Sequence, residues 1–206
     1  MRVLDLKQSI KILSKKIKFA NQVIVNRETD LKKIKISFPW VMKAVSPKII
    51  HKTEFKAVRV GIQNLEQAYL TLKELKKLPG VTGILVQEQV FGFELIIGAK
   101  QDIQFGPTVL VGFGGIFTEV LQDFSVRICP LNEQTVTEML EELKAFPLLS
   151  GVRKTQPVNL KMVKQIILSL SQIIETNSNI QEIDLNPVMV NSKKAIAVDA
   201  RIILER

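Results

Sequence analysis

Short, branched apolar runs alternate along this chain with stretches of helical period, several of which open on asparagine, and the connections between them are brief. Strand-length runs stand at Gln22–Val25, Trp40–Val45, 57–62, 84–87, 94–97 and 108–111. Asn64 followed by Gln67 forms a capping pattern ahead of a helix with Leu65, Ala68, Leu72 and Leu75 on one face, and Pro79 and Gly80 end it. Asn132 and Asn159 open two more helices, the second about 160–175. Residues 4–17 place Leu6, Ile10, Leu13 and Ile17 three or four apart, the face of an amphipathic helix. One or two helical turns are expected within 30–36, a loop over 148–157, and two closing strands, 180–190 and 195–203, about the polar turn 191–194. Such alternation predicts an α+β fold with mixed or antiparallel sheets, and argues against a bundle or a sandwich.

At 206 residues and 46% hydrophobic content the chain can bury a substantial core, as one large domain or two small lobes. Basic residues exceed acidic ones, 29 to 20, which favours phosphate-bearing ligands or an acidic partner surface. Nucleic acid is a poor candidate: aromatics are 6% and the lysines are spread over helix surfaces without forming one aromatic-studded stripe. Cys129 is the single cysteine, so an internal disulfide and a thiolate metal cluster are excluded, and its apolar setting predicts a buried thiol. No run reaches the ~18 apolar residues a membrane span needs, and the N-terminus lacks the apolar centre of a signal peptide, so a cytoplasmic location is expected.

Chemistry concentrates in three places. The polar connection after Val45 carries Pro47, Lys48, Lys52, Lys56 and the single histidine, His51. A neutral imidazole can carry a phosphoryl group covalently, and neighbouring ammonium groups favour its arrival; an ordinary surface histidine in a basic loop is the other reading. Lys43, inside an otherwise apolar strand, either reaches the edge or meets a ligand phosphate, because a buried ammonium without an anion is costly. The second place is the cluster Gly112, Gly114 and Gly115, which suits backbone passing close to phosphate, and equally a tight turn. The third is the closing hairpin. Asp184 and Asn186, two apart, share a strand face, and a turn centred on Ser192 and Lys193 sets Asn186 opposite Asp199. Three oxygen-bearing side chains on one patch suit Mg²⁺ bound to nucleotide phosphates; a solvated strand rim is the alternative. Glu88 and Glu94 are candidates for ribose or adenine contacts, and Glu119 and Asp123 follow the glycines. With Lys43 they describe a two-lobed nucleotide cleft.

The segments VMKAVSPKIIHKTE, FELIIGAKQDIQFGP, VGFGGIFTEVLQD, PLLSGVR, EIDLNPVMV and VDARI, in this order, resemble the ATP-grasp family, and specifically the small (beta) subunit of the ADP-forming acyl-CoA synthetases. The similarity runs from about residue 38 to the end. It implies one ATP-grasp domain over 1–206, with a lobe of about 18–83 bearing the His51 loop and a lobe of about 84–206 bearing the metal site. It further implies ATP or ADP with Mg²⁺, and a separate CoA-binding alpha subunit as partner. In that family a phosphoryl group passes from an acyl phosphate to a histidine of the partner, then to a histidine of the ATP-grasp subunit, then to ADP. By resemblance His51 is this second carrier and Asp184 the acid that positions it. Lys43 contacts nucleotide phosphates, the strand ending at Glu88 is the adenine hinge, Glu94 lies near the ribose, and Asn186 with Asp199 hold the metal.

The chain departs from the family pattern at Glu54, where aspartate is usual, at Lys56 and Ala57, which replace two glycines, and at Lys154, which replaces another. Two further functions remain open at this point: a non-catalytic nucleotide-binding subunit of the same fold, and an ATP-grasp carboxylate–amine ligase that needs no carrier histidine.

Overall fold

The computed structural model describes residues 1–46, 56–115, 122–152 and 156–205. The chain opens with a two-residue strand, β1 (Arg2–Val3), and helix α1 (Leu6–Leu13). Asp5 caps this helix, its carboxylate accepting the Gln8 N–H at 2.8 Å while the Gln8 side chain accepts the Asp5 N–H at 3.2 Å.

Ala20–Val90 is a compact unit of its own. It contains β2 (Gln22–Val25), α2 (Glu28–Leu31), β3 (Trp40–Val45), β4 (Val58–Ile62), α3 (Leu65–Leu75) and β5 (Gly83–Glu88). Its strands form an antiparallel sheet in the order β2-β5-β3-β4. The two-residue period of β3 sends Trp40, Met42 and Ala44 to one side, where Ile84 and Val86 join them against Leu31 of α2 and Ala68, Leu72 and Leu75 of α3. Asn64 caps α3, accepting the Gln67 N–H at 2.9 Å.

The second unit comprises Met1–Phe19 and Phe91–Arg206. After Val90 come β6 (Phe93–Asp102), β7 (Gly106–Phe113), β8 (Phe124–Ile128), α4 (Glu133–Glu141), α5 (Phe146–Ser150), α6 (Leu160–Thr176), β9 (Ile180–Val190), β10 (Ala195–Ala197) and β11 (Arg201–Leu204). The strands give a seven-stranded antiparallel sheet ordered β1-β11-β9-β6-β7-β8, with β10 also on β9. One side of this sheet is core. Leu95, Ile97 and Ala99 of β6, Val109, Val111 and Phe113 of β7, and Ile183, Leu185, Val188 and Val190 of β9 meet Val163, Ile167, Leu170 and Ile174 of α6. Asn132 and Asn159 cap α4 and α6, accepting the N–H groups of Thr135 at 2.9 Å and Met162 at 3.1 Å.

Several expectations shift. The division falls at Ala20–Val90, not at 18–83 and 84–206, because β5 is laddered between β2 and β3, whereas β1 and α1 pack on β11 of the larger unit. β6 extends to Asp102, whose Oδ1 closes the turn by accepting N–H groups from Gln104 at 2.9 Å and Phe105 at 3.0 Å. The loop expected over 148–157 begins inside α5, and β8 was not foreseen as a strand. The second closing strand is broken at 198–200, between β10 and β11. Among the described residues no helix is long and apolar enough to cross a membrane.

Candidate functional site

In the larger unit the side of the sheet turned away from α6 is left to β6, β7, β9 and β11. Asp184 of β9 sits there between Gly98 of β6 and Arg201 of β11, its two Cα partners. Burial pushes the Asp184 carboxyl above the usual carboxylate range; the Arg201 guanidinium draws it back, while the charges of Glu182 and Asp199 push it further up. Arg201 is held by Glu182, with Nη2 donating to Oε1 at 2.8 Å. Asp184 and Asp199 therefore share one electrostatic patch, with the Arg201 cation beside them.

Asn186 follows on the same strand. Leu95 pairs with Val188 and Ile97 with Leu185, so Asn186 and Pro187 together stand opposite the single residue Ile96. This two-against-one arrangement is a β-bulge, which redirects side chains, and Asn186 is exposed on the side away from the core. Asp199 lies in the break between β10 and β11, its Oδ1 accepting the Ala200 N–H at 2.9 Å. The Val198 N–H donates to Pro187 O at 3.1 Å, and the same register resumes at Arg201 and Asp184. Asn186 and Asp199 are thus set opposite each other across an irregular segment, not along a regular ladder.

Glu94 and the glycines form a second cluster on this unit. The Gly114 N–H donates to Glu94 O at 2.7 Å and the Phe113 N–H to Asp123 O at 3.1 Å, so these amides complete the sheet and are not offered to an anion. What the glycines provide is room. A Cβ on Gly115, where φ is +60°, would lie 2.8 Å from Oε2 of Glu94, and one on Gly114 would lie 3.2 Å from its Cβ. Asp123 is no part of this cluster: it is buried, and its two oxygens accept the N–H groups of Lys144 at 2.8 Å and Ala145 at 2.9 Å.

In the smaller unit Lys43 is 7% exposed, between Val58 of β4 and Leu85 of β5. Alternation along β3 puts it on the sheet side opposite Trp40 and Met42, together with Val41 and, from β5, Leu85 and Gln87. Gln87 is buried and donates from Nε2 to Gln22 Oε1 at 2.8 Å. Glu88 does not join Lys43. It shares the parity of Ile84 and Val86, on the helix-covered side, and its Oε1 accepts the Asn21 N–H at 3.0 Å. There it lines a cavity of about 620 Å³ with Asp30 and Lys33.

His51, with Lys48, Lys52 and Glu54, falls outside the described residues, as do Glu119, Arg153 and Lys154. At the near boundary Ser46 Oγ donates to Pro79 O at 2.7 Å; at the far one Lys56 takes φ +48°, with its carbonyl accepting from Arg59. The lysine thus stands in the left-handed region that glycine enters without cost. Two residues that the sequence reading passed over now matter. Arg201 was reachable, because the hairpin register that sets Asn186 against Asp199 also sets Arg201 against Asp184. Gln87 was reachable from the alternation of β5. Cys129 is half-buried, less enclosed than its apolar setting predicted, and desolvation pushes its thiol up.

Among the described residues no three or more of His, Cys, Asp and Glu gather as a metal cage. Two coupled carboxylates and an exposed amide are a different donor set, suited to a hard cation that keeps several waters and shares phosphate oxygens.

An ATP-grasp domain model matches residues 1–204. The beta subunit of ADP-forming acetate–CoA ligase I from Pyrococcus furiosus is 39% identical over 177 residues, 82% of this chain and 76% of that one. The ADP-forming acetate–CoA ligase of Methanocaldococcus jannaschii is 40% identical over 176 residues, 79% of this chain but 25% of that much longer one. The dinucleotide-forming acetyl-coenzyme A synthetase 1 of Ca. Korarchaeum cryptofilum, solved with coenzyme A and Ca-AMPCP, superposes with a TM-score of 0.91 at 37% identity, covering 99% of this chain and 94% of that one. The same protein, solved with coenzyme A and Mg-AMPPCP with its phosphohistidine segment pointing towards the nucleotide binding site, gives 0.86 at 37%, covering 98% and 93%. The chain belongs to the ATP-grasp family, among the beta subunits of ADP-forming acetate–CoA ligases.

Proposed function

We propose that this chain is the nucleotide-handling subunit of an ADP-forming acyl-CoA ligase and that it passes a phosphoryl group between His51 and ADP. The reading rests above all on Asp184, a carboxylate kept partly buried on an otherwise open sheet face, with Arg201 beside it and the charge of Asp199 acting on it. A carboxylate in such a place suits the N–H of an imidazole. Held on the second ring nitrogen, it keeps that nitrogen protonated while the other carries phosphate. When the P–N bond breaks and a terminal oxygen of ADP takes the phosphorus, the ring departs as neutral imidazole.

Lys43 supplies a fixed positive charge for phosphate oxygens. Asn186 and Asp199 are the oxygen donors that would hold Mg²⁺, whose charge offsets that of the transferring phosphoryl group. Glu94, lodged against Gly114 and Gly115, is placed to accept from a ribose hydroxyl; Glu88 is assigned no ligand, and the hinge role passes to the backbone about Gln87. The acyl-CoA step, and with it a CoA-binding alpha subunit and a cytoplasmic setting, follows from the family by the same proposal.

The experiment is phosphorylation of the chain alone with ATP labelled at the γ-phosphate and Mg²⁺. Acid-labile label on wild type and none on His51→Ala supports the carrier; equal labelling of both rejects it. Lys56 favours a second reading, since a lysine at φ +48° where relatives carry glycine stiffens the exit of the carrier segment. A chain that binds ADP in calorimetry yet takes no label under any condition is the non-catalytic subunit.

A further inference from the structure

Gly98 stands near the middle of the ten-residue strand β6, where glycine weakens the ladder and leaves nothing to pack. The backbone does not ask for it. Of the ten glycines in the chain, Gly61, Gly80, Gly92, Gly106, Gly115 and Gly151 take positive φ. At Gly83, Gly112 and Gly114 a Cβ would come to 2.8, 2.7 and 3.2 Å from a neighbouring atom. Gly98 has neither reason. Its φ lies outside the left-handed region, and a Cβ would meet only Ile183 O, at 3.4 Å, an ordinary contact. A glycine that the fold does not need, in a strand interior, marks a place where something else comes close.

That place adjoins Asp184. Leu95, Ile97 and Ala99 are the core positions of β6, so Gly98 belongs to the opposite side of the sheet, with Asp184 as its partner on β9 and Leu110 as its partner on β7. Adjacent strands lie ~4.8 Å apart, so Asp184 and Leu110, both half-buried, flank a bare strip about 9–10 Å wide at the backbone. Such a strip has room for one five-membered ring, about 2.8 Å from a carboxylate oxygen on one side and about 3.5–4 Å from a methyl group on the other. Arg201, held by Glu182 at 2.8 Å, stands on the far side of Asp184. Among the described residues no N–H or O–H donates to Asp184, so its oxygens are uncommitted. We propose that the bare backbone at Gly98 is the seat of the carrier imidazole, whose N–H meets Asp184 and whose carbon edge meets Leu110. Gly98 is then a positioning residue for phosphoryl transfer. The seat deepens the function given above and rests on it.

Gly98→Ala and Gly98→Val put a methyl and an isopropyl group into the seat while keeping the strand, in which valine is favoured. Expected is labelling by ATP and Mg²⁺ about 10²-fold slower in Gly98→Val, the effect of a ~1 Å misplacement, with Gly98→Ala between it and wild type. ADP affinity in calorimetry and the melting temperature should be no lower than in wild type. Wild-type labelling in Gly98→Val overturns the proposal. So does a parallel loss of ADP affinity, which gives the bare strip to the nucleotide, and so does a lower melting temperature in Gly98→Ala, which gives the glycine to the fold. Free imidazole added to the His51→Ala chain probes the seat without phosphoryl transfer. The Leu110 methyl signals in NMR should shift to saturation, and should stay still when Gly98→Val is combined with His51→Ala; no shift in His51→Ala alone overturns the seat. A saturating shift in a protein whose wild type takes no label removes the carrier reading and leaves the seat standing.

Discussion

The two sheets of this protein each pack one side against helices and set charged groups among the residues of the other, and those groups have opposite sign. In the four-stranded sheet the side away from α3 carries an ammonium, Lys43, set mid-strand and 7% exposed. In the seven-stranded sheet the side away from α6 carries carboxylates, Asp184 with Asp199 nearby and Glu94 on β6, and its cation Arg201 is held by Glu182. Phosphate oxygens want the first arrangement; a metal ion and an imidazole N–H want the second. The contrast extends to backbone. The four-stranded sheet presents its lysine from a regular ladder between β4 and β5, whereas the acidic patch depends on a bulge at Asn186 and a strand break at Asp199.

The comparison breaks most visibly at Asp184. Replacing it with alanine is expected to slow labelling of His51 by roughly 10²- to 10⁴-fold, the range of a positioned acid–base group, with ADP affinity nearly unchanged in calorimetry. A parallel loss of affinity would place the residue with the nucleotide instead. Next, Trp40→Ala and Phe113→Ala, each emptying the core of one unit, should each cost about 3–5 kcal/mol in denaturant unfolding. If the units unfold independently, each variant shifts one of two transitions; a single shared transition would show that they unfold as one.

Lys43→Met should weaken ADP binding by roughly 10- to 100-fold, the worth of a charge-assisted contact, while leaving the acid lability of phospho-His51 as it was. Asp184→Asn sharpens the electrostatic half of the contrast. Because the folded carboxyl sits above its unfolded value, ionising it opposes folding. The stability it contributes is complete below the unfolded value near 3.8 and is lost as pH rises through the folded one. The amide should therefore raise the melting temperature at pH 7, and the gain should vanish towards pH 3.5. Smallest is Ser9→Ala in α1, where a fully buried hydroxyl has no hydrogen-bond partner; a change between neutral and about 1 kcal/mol of added stability is expected.

What could be read in the sequence was set by short-range geometry. Asn64, Asn132 and Asn159 were legible as caps because a cap bonds an amide three residues on. The register of the closing hairpin was legible because a short turn fixes it, and it held on both sides of the break, at Ala195 with Val190 and at Arg201 with Asp184. The candidate residues on β9, Asp184 and Asn186, followed from the same local period.

Tertiary structure alone decided the rest. Which side of β5 Glu88 faces was settled only by its ladder partners, and the place of Asp123 only when its oxygens were found on the amides of residues 144 and 145, some twenty positions away. β8 escaped notice because its polarity is reversed: what makes Ser125 and Arg127 interior is Glu142 at the end of α4, a group no local pattern announces. Local periods and caps act within a few residues and survive in any fold, so the sequence carries them openly. Which side of a sheet is covered, and by what, depends on segments far apart in the chain coming together.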